Sequence, residues 1–234
     1  MKIKWYNTID STFSAMERSR GELSDREVWA ARFQSAGIGQ RGNVWSSREG
    51  ENLTFSIFLK HSHLPASGQF LVCQAVSLGI CGYLAKKAVE ARIKWPNDIY
   101  VGDKKICGIL IRHTVAGGFL IDSVVGVGLN INQTSFPEWV PNPTSIALET
   151  GPGYLLEEEL PALLGCITGE YDNISQETDT RYMDRLYLKD TPHVYSDAGG
   201  NRFEGTIRGV KSDGRLEVET ADGFRYFAFK EISY

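Results

Sequence analysis

The chain alternates short apolar runs with glycine and polar turns, and two longer stretches show helical spacing. Val28-Trp29-Ala30-Ala31-Arg32-Phe33 and Leu53 to Leu59 have the length of buried strands and flank a glycine-rich loop. Residues 66–88 place Phe70, Leu71, Leu78, Cys81 and Leu84 or Ala85 at helical intervals and end in Lys86 and Lys87. Cations suit a helix C-terminus, so this segment predicts a buried helix. A strand meander follows. Ile99 to Val101 turns at Gly102-Asp103 into Ile106 to Arg112, and Gly117-Gly118 turns that run into Phe119 to Ile131. Leu156, Leu160, Leu163, Leu164, Ile167, Tyr171 and Ile174 share one helical face, and Pro161 predicts a helix start or kink there. Near the N-terminus, Ser11 or Thr12 can cap a short helix ending near Gly21.

After about residue 188 the pattern changes. Asp190-Thr191-Pro192 breaks the chain, and three or four short strands follow, separated by Gly199-Gly200, Ser212-Asp213-Gly214 and Ala221-Asp222-Gly223. D-G turns between alternating runs predict a small antiparallel barrel. The expected organisation is therefore α+β. A mixed, largely antiparallel sheet with helices spans residues 1–188, and a small C-terminal β-barrel domain spans 189–234.

Bulk properties narrow the classes of function. The 234 residues are 42% apolar and 23% charged, an ordinary globular composition. A net charge of -4 disfavours a general nucleic-acid binder. Cys73, Cys81, Cys107 and Cys166 show neither CxxC nor metal spacing and read as buried free thiols in a reducing compartment. The N-terminus has no apolar leader core, and no eighteen consecutive residues are apolar. The expectation is a soluble cytoplasmic protein without membrane or DNA partners.

Candidate chemistry concentrates in two stretches. Gln34 to Trp45 contains Gly37, Gly39 and Gly42 in G-x-G-x-x-G spacing. A dinucleotide site would need a helix opening at the last glycine and a carboxylate about 20 residues on. Instead Asn43 to Ser47 leads into a turn and a β-rich run that no carboxylate closes. The glycines can still bring backbone N–H groups close to a ligand, with Arg41 adding a forked cation and Trp45 a flat face. The second stretch is Lys94-Trp95-Pro96-Asn97-Asp98, a polar corner at a strand end. Lys105 then opens the apolar strand Ile106 to Ile111, where it can neutralise a carboxylate against an α-phosphate. Gly108 leaves room for close approach of a ligand to the backbone.

These residues resemble the motifs of biotin protein ligases. That family carries a Ser-Thr pair, Q-x-x-G-[RK]-G-x-x-G-x-x-W, K-W-P-N-D, K-x-x-G-I-L and G-[IV]-G-[IL]-N-[IV]. Here they correspond to Ser11-Thr12, Gln34 to Trp45, Lys94 to Asp98, Lys105 to Leu110 and Gly126 to Ile131. The resemblance implies a biotin/lipoate ligase-like catalytic domain followed by an SH3-like barrel. With ten residues before Ser11, it implies a monofunctional ligase lacking the DNA-binding domain of the bifunctional members. It further implies two-step transfer: biotin and ATP, with Mg²⁺, give biotinyl-5′-AMP and pyrophosphate, and biotin then passes to a lysine of a biotin carboxyl carrier protein. By this resemblance Ser11, Thr12, Gln34, Gly37, Ile38, Gly39, Lys105, Gly108, Leu110 and Gly126 bind biotin. Gln40, Arg41, Gly42, Trp45, Lys94, Asn97, Asp98 and Asn130 bind the nucleotide, and Lys105 is the catalytic cation. Family members usually have a basic residue where this chain has Ile38, often an arginine at Gln40 and commonly a further one at Asn43, which leaves Arg41 as the charged residue of the loop. Fewer cations imply weaker retention of the adenylate.

A lipoate–protein ligase and a non-catalytic biotin- or nucleotide-binding module are the alternatives, and a homodimer is possible. No protein metal site is expected. His61 and His63 lack a third ligand and read as solvated loop residues, and Glu157, Glu158 and Glu159 read as the acidic first turn of a helix.

Overall fold

The computed structural model describes residues 1–151 and 153–234, apart from the side chain of Arg41. In chain order the first part contains β1 (Ile3–Ile9), α1 (Thr12–Arg18), β2 (Val28–Gln34), β3 (Leu53–Lys60), α2 (Gln69–Lys86), β4 (Arg92–Lys94), β5 (Asp98–Val101), β6 (Lys104–Ala116) and β7 (Phe119–Leu129). Three helices follow: α3 (Ile146–Thr150), α4 (Leu156–Asp172) and α5 (Gln176–Met183). The remainder is β8 (Pro192–Asp197), β9 (Arg202–Val210), β10 (Leu216–Thr220), β11 (Gly223–Phe227) and β12 (Ile232–Ser233).

The first seven strands form one mixed sheet in the order β1-β2-β3-β7-β6-β5-β4. β1 and β2 pair in parallel and the remaining neighbours pair antiparallel. Leu53 to Leu59 are buried without interruption, because β3 is central and both of its faces are covered. One face packs on α2 and α4. The other carries α1, where Phe13 and Met16 pack with Phe58 and Val124. β1 was not among the expected strands; its alternation is blurred because it is an edge strand, half-buried along most of its length.

The helix predicted for residues 66–88 is a short 3-10 turn, Ala66–Gly68, running into α2. It is buried nearly all round, Gln74 and Ser77 included, so no polar stripe marks an outer face. By length and hydropathy Ala66–Lys86 could cross a membrane, yet 72% of that window is buried within this fold. Full burial of a side chain such as Ile80 or Leu84 contributes roughly 1.5–3 kcal/mol. α4 begins at Leu156, before Pro161, and its acidic first turn is present. Glu159, however, is buried rather than solvated: it accepts the Tyr83 hydroxyl at 2.6 Å and the Lys87 ammonium at 2.7 Å, tying α4 to α2.

His61 also departs from the solvated reading. Its ring nitrogens lie 2.6 Å from the Tyr171 hydroxyl and 2.6 Å from Ser123 Oγ, which also sits 2.6 Å from His113 Nδ1. Tyr171-His61-Ser123-His113 thus links α4 to β7 and β6. Burial lowers the pKa of both histidines, that of His113 to about 4. His63 is exposed, as expected. All four cysteines are free thiols, and burial pushes Cys73 and Cys81 up to about 12.

The C-terminal strands form a second, antiparallel sheet in the order β11-β10-β9-β8-β12, five strands against the three or four expected. Gly200, Gly214 and Gly223 hold positive φ at the predicted turns. This sheet is fastened to the hairpin made by β4 and β5. The Trp95 indole N–H donates to the Gly214 carbonyl at 2.9 Å, and its ring meets Phe229 edge-on at 5.2 Å. The docking brings the last residues of the chain beside Lys94.

Candidate active site

A cavity of about 390 Å³ opens on the α1 side of the large sheet, and small residues in the strands create it. Gly126 and Gly128 lie two apart on β7 and so share a face. Gly108 of β6 is registered opposite Gly128, and Leu110 opposite Gly126. A Cβ on Gly126 would sit 2.9 Å from the Phe13 ring, and one on Gly128 would sit 2.2 Å from the Trp45 indole. The glycines are therefore what lets aromatic rings lie flat on the strands.

At one end the cavity is small and polar. Ser11 caps α1 by accepting the Ser14 N–H, and the start of the helix fixes its neighbour Thr12. The Thr12 N–H donates to Gln34 Oε1 at 2.7 Å, and its hydroxyl lies 2.9 Å from Ser56 Oγ. Ser11, Thr12 and Ser56 are buried. Together with Gln34 they offer hydroxyls and an amide to a ligand that presents both donors and acceptors, and Phe13, Phe55 and Leu110 give the same end apolar walls.

At the other end lie the charges. The Lys105 ammonium meets Asp98 Oδ1 at 2.8 Å, and both side chains are about a quarter exposed. The pair is tied together by β5 and β6, where Asp98 is registered opposite Gly108. Lys105 also lies 5.7 Å from the centre of the Trp45 ring. Lys94 donates to the Tyr100 hydroxyl at 3.2 Å and sits 4.6 Å from the centre of the Tyr234 ring. Burial lowers its pKa. Asn97 turns its amide into β6, donating to the Ile109 carbonyl at 2.5 Å.

The loop from Gln34 to Trp45 forms the roof. Ile38 and Val44 make an isolated antiparallel bridge, Gly39 N–H donates to the Asn43 carbonyl at 2.7 Å, and Trp45 N–H to the Gly37 carbonyl at 2.9 Å. A Cβ on Gly37 would lie 2.6 Å from the Trp45 carbonyl oxygen, and Gly42 turns the chain at φ +84. No helix follows, which removes the dinucleotide reading. Trp45 Nε1 is buried and has no hydrogen-bond partner among the described residues.

Most of the expected residues converge here. Ser11, Thr12, Gln34, Ile38, Gly39, Lys105, Gly108, Leu110 and Gly126 line the cavity, as do Gln40, Trp45, Lys94, Asn97 and Asp98. Gly37 and Gly42 shape the loop without lining the cavity. Asn130 also lies off it, buried, with its amide donating to the Thr144 carbonyl at 2.9 Å. The Arg41 side chain lies outside the described residues. Sequence reasoning missed Ser56, a buried hydroxyl in a largely apolar strand, and the C-terminal wall of Lys230, Ile232, Ser233 and Tyr234. A serine among β3's aliphatic residues was a readable signal for the first; nothing in the sequence brought residue 230 next to residue 98. Among the described residues no three His, Cys, Asp or Glu side chains cluster to hold a metal.

Comparison with known proteins identifies the family. The model of the biotin/lipoate A/B protein ligase family matches residues 5–130. The bifunctional ligase/repressor BirA of Escherichia coli is 32% identical over 217 residues, which cover 90% of this chain and 67% of that protein. A biotin–[acetyl-CoA-carboxylase] ligase of Paracoccus denitrificans is 28% identical over 159 residues, covering 66% of each chain. Among solved structures, the biotin protein ligase of Aquifex aeolicus in complex with biotin and ATP superposes with a TM-score of 0.82 at 22% identity, covering 99% of this chain and 97% of that one. With the family match spanning the strands and loop that build the cavity, and a relative above 30% identity running beyond it, the chain belongs to the biotin/lipoate A/B protein ligase family.

Proposed function

We propose that this chain activates biotin with ATP and transfers it to a lysine of a biotin carboxyl carrier protein. What carries the reading is the convergence, in one glycine-floored cavity, of a buried polar end and a Lys105–Asp98 pair beneath a glycine-rich loop. The bicyclic ring of biotin, with its urea donors and acceptor, fits the Ser11, Thr12, Gln34 and Ser56 end. Its valerate chain runs along Leu110 and Gly126 and delivers the carboxylate to Lys105.

In the first step a biotin carboxylate oxygen attacks the α-phosphorus of ATP. The O–P bond to the β-phosphate breaks and pyrophosphate leaves. Lys105 offsets the repulsion between carboxylate and phosphate, and Asp98 holds the ammonium in place. The exposed face of Trp45 stacks on adenine while the glycine floor supports its other face. Backbone N–H groups of residues 37–42 fold over the adenylate. In the second step the neutral amine of the carrier lysine attacks the acyl carbon of biotinyl-5′-AMP, and the C–O bond to AMP breaks. Mg²⁺, a hard cation that prefers oxygen ligands, would offset the charge of the triphosphate, and Asp98, a carboxylate lining the cavity, would be the side chain to hold it. Residues 189–234 are read as an accessory domain whose end completes the nucleotide side.

A purified carrier domain incubated with the protein, biotin and ATP should gain the mass of one biotin on a single lysine, and none when ATP is omitted. A carrier that stays unlabelled, or labels equally without ATP, would overturn the reading.

A further inference from the structure

Among the described side chains, the roof brings no cation to the cavity. Ile38, Gln40 and Asn43 all line the cavity and none is charged. Three lysines also line it: Lys94, Lys105 and Lys230. Lys105 is held by Asp98 at the carboxylate end of the reaction. Lys94 is enclosed by the Tyr100 and Tyr234 rings and bonded to the Tyr100 hydroxyl. Among the described residues the lysines in ion pairs are Lys87, Lys105, Lys189 and Lys211, so Lys230 faces the cavity without a carboxylate.

The backbone adds an independent sign. Lys230 has φ +85, the left-handed region that suits glycine. The turn holds it there: the Ala228 N–H donates to Glu231 Oε2 at 2.8 Å, and the Glu231 N–H to the Ala228 carbonyl at 3.1 Å. Glu231 is thus turned back on the loop, and Phe229 is pinned against Trp95. Side chains kept in such conformations concentrate at ligand sites. A glycine would suit this turn, yet the position carries a cation at the cavity.

We infer that Lys230, delivered by the C-terminal sheet, binds the β- and γ-phosphates of ATP and stabilises the departing pyrophosphate. The inference rests on the function proposed above. It assigns division of labour across the cavity: Lys105 acts at the carboxylate and α-phosphate, Lys230 at the leaving group. Lys230 should then matter for forming the adenylate and not for consuming it.

The test compares wild type with Lys230→Gly, Lys230→Gln and Lys230→Arg in two assays. One measures pyrophosphate release at varied ATP and at varied biotin. The other measures transfer to the carrier domain from preformed biotinyl-5′-AMP. Loss of a phosphate-bound cation should raise the KM for ATP about tenfold in the Gly and Gln variants. The KM for biotin and the transfer rate should not move, and Lys230→Arg should restore ATP binding. Lys230→Gly should melt no lower than wild type, which separates the charge from the turn. An unchanged KM for ATP, or an equal loss in transfer from preformed adenylate, would overturn the assignment. Wild type that forms no biotinyl-5′-AMP would instead overturn the proposed function and the inference with it.

Discussion

Lys105 and Gly128 carry the most exacting demands of the site. Lys105→Ala should lower adenylate formation about 100- to 1000-fold, the usual cost of one preorganised electrostatic contact, measured as pyrophosphate release. Its side chain is partly exposed and lies at a strand edge, so melting should change little. A variant with normal turnover would remove Lys105 from the mechanism. Gly128→Ala places a methyl group within 2.2 Å of the Trp45 ring and must push the indole off its floor. The KM for ATP should rise about tenfold, the loss of roughly 1.4 kcal/mol of stacking support; an unchanged value would mean that Trp45 does not hold the nucleotide. These residues were legible in the sequence because they sit in short motifs whose spacing survives without the fold. Asn130 shows the limit. It lies in such a motif, yet it does not line the cavity: its amide N–H donates to the Thr144 carbonyl, and its buried Oδ1 has no partner among the described residues. Lys230 was illegible for the opposite reason, since long-range docking, with Trp95 on Gly214 and Phe229 part of it, carries it to the site.

The crossing of α2 and α4 depends on Gly79. A Cβ there would lie 2.5 Å from Ile167 Cα and 2.9 Å from the Cys166 carbonyl oxygen, both backbone atoms that cannot step aside. Gly79→Ala should therefore destabilise the fold by about 1–3 kcal/mol, lowering the melting temperature by several degrees although alanine favours helix. The Tyr171-His61-Ser123-His113 line makes a second demand. The pKa of His113 falls from an ordinary 6.5 unfolded to about 4 folded, because burial opposes its charge. Above pH 6.5 neither state takes the proton and the stabilising contribution is complete. Between pH 6.5 and 4 the unfolded chain binds it first, so stability falls with pH, and the loss levels off below 4. Thermal melts from pH 7 to 4.5 should show a smaller drop for His113→Gln than for wild type; equal drops would contradict the account. The helices and meander were readable from periodicity, β1 and α5 were not. β1 is a half-buried edge strand, and α5 shows mostly polar residues with Thr178 and Tyr182 buried. The histidine line is a cross-strand and cross-helix contact that no local pattern encodes.

The whole molecule couples the large sheet to a second, smaller sheet through Trp95, the Met183 contact with Val210, and the final turn of the chain. Among the described side chains, the roof loop presents uncharged Ile38 and Gln40 to the cavity. Biotinyl-5′-AMP should consequently dissociate faster than from a relative with arginines in this loop, measured by chasing a preformed complex with excess biotin; equal or slower release would contradict this. The central claim is the chemistry of the first step, and mass spectrometry of protein incubated with ATP and Mg²⁺ tests it most directly, with biotin and lipoate in parallel. The account predicts a biotinyl adenylate and no lipoyl adenylate. A lipoyl adenylate, or neither product from folded protein, would contradict it.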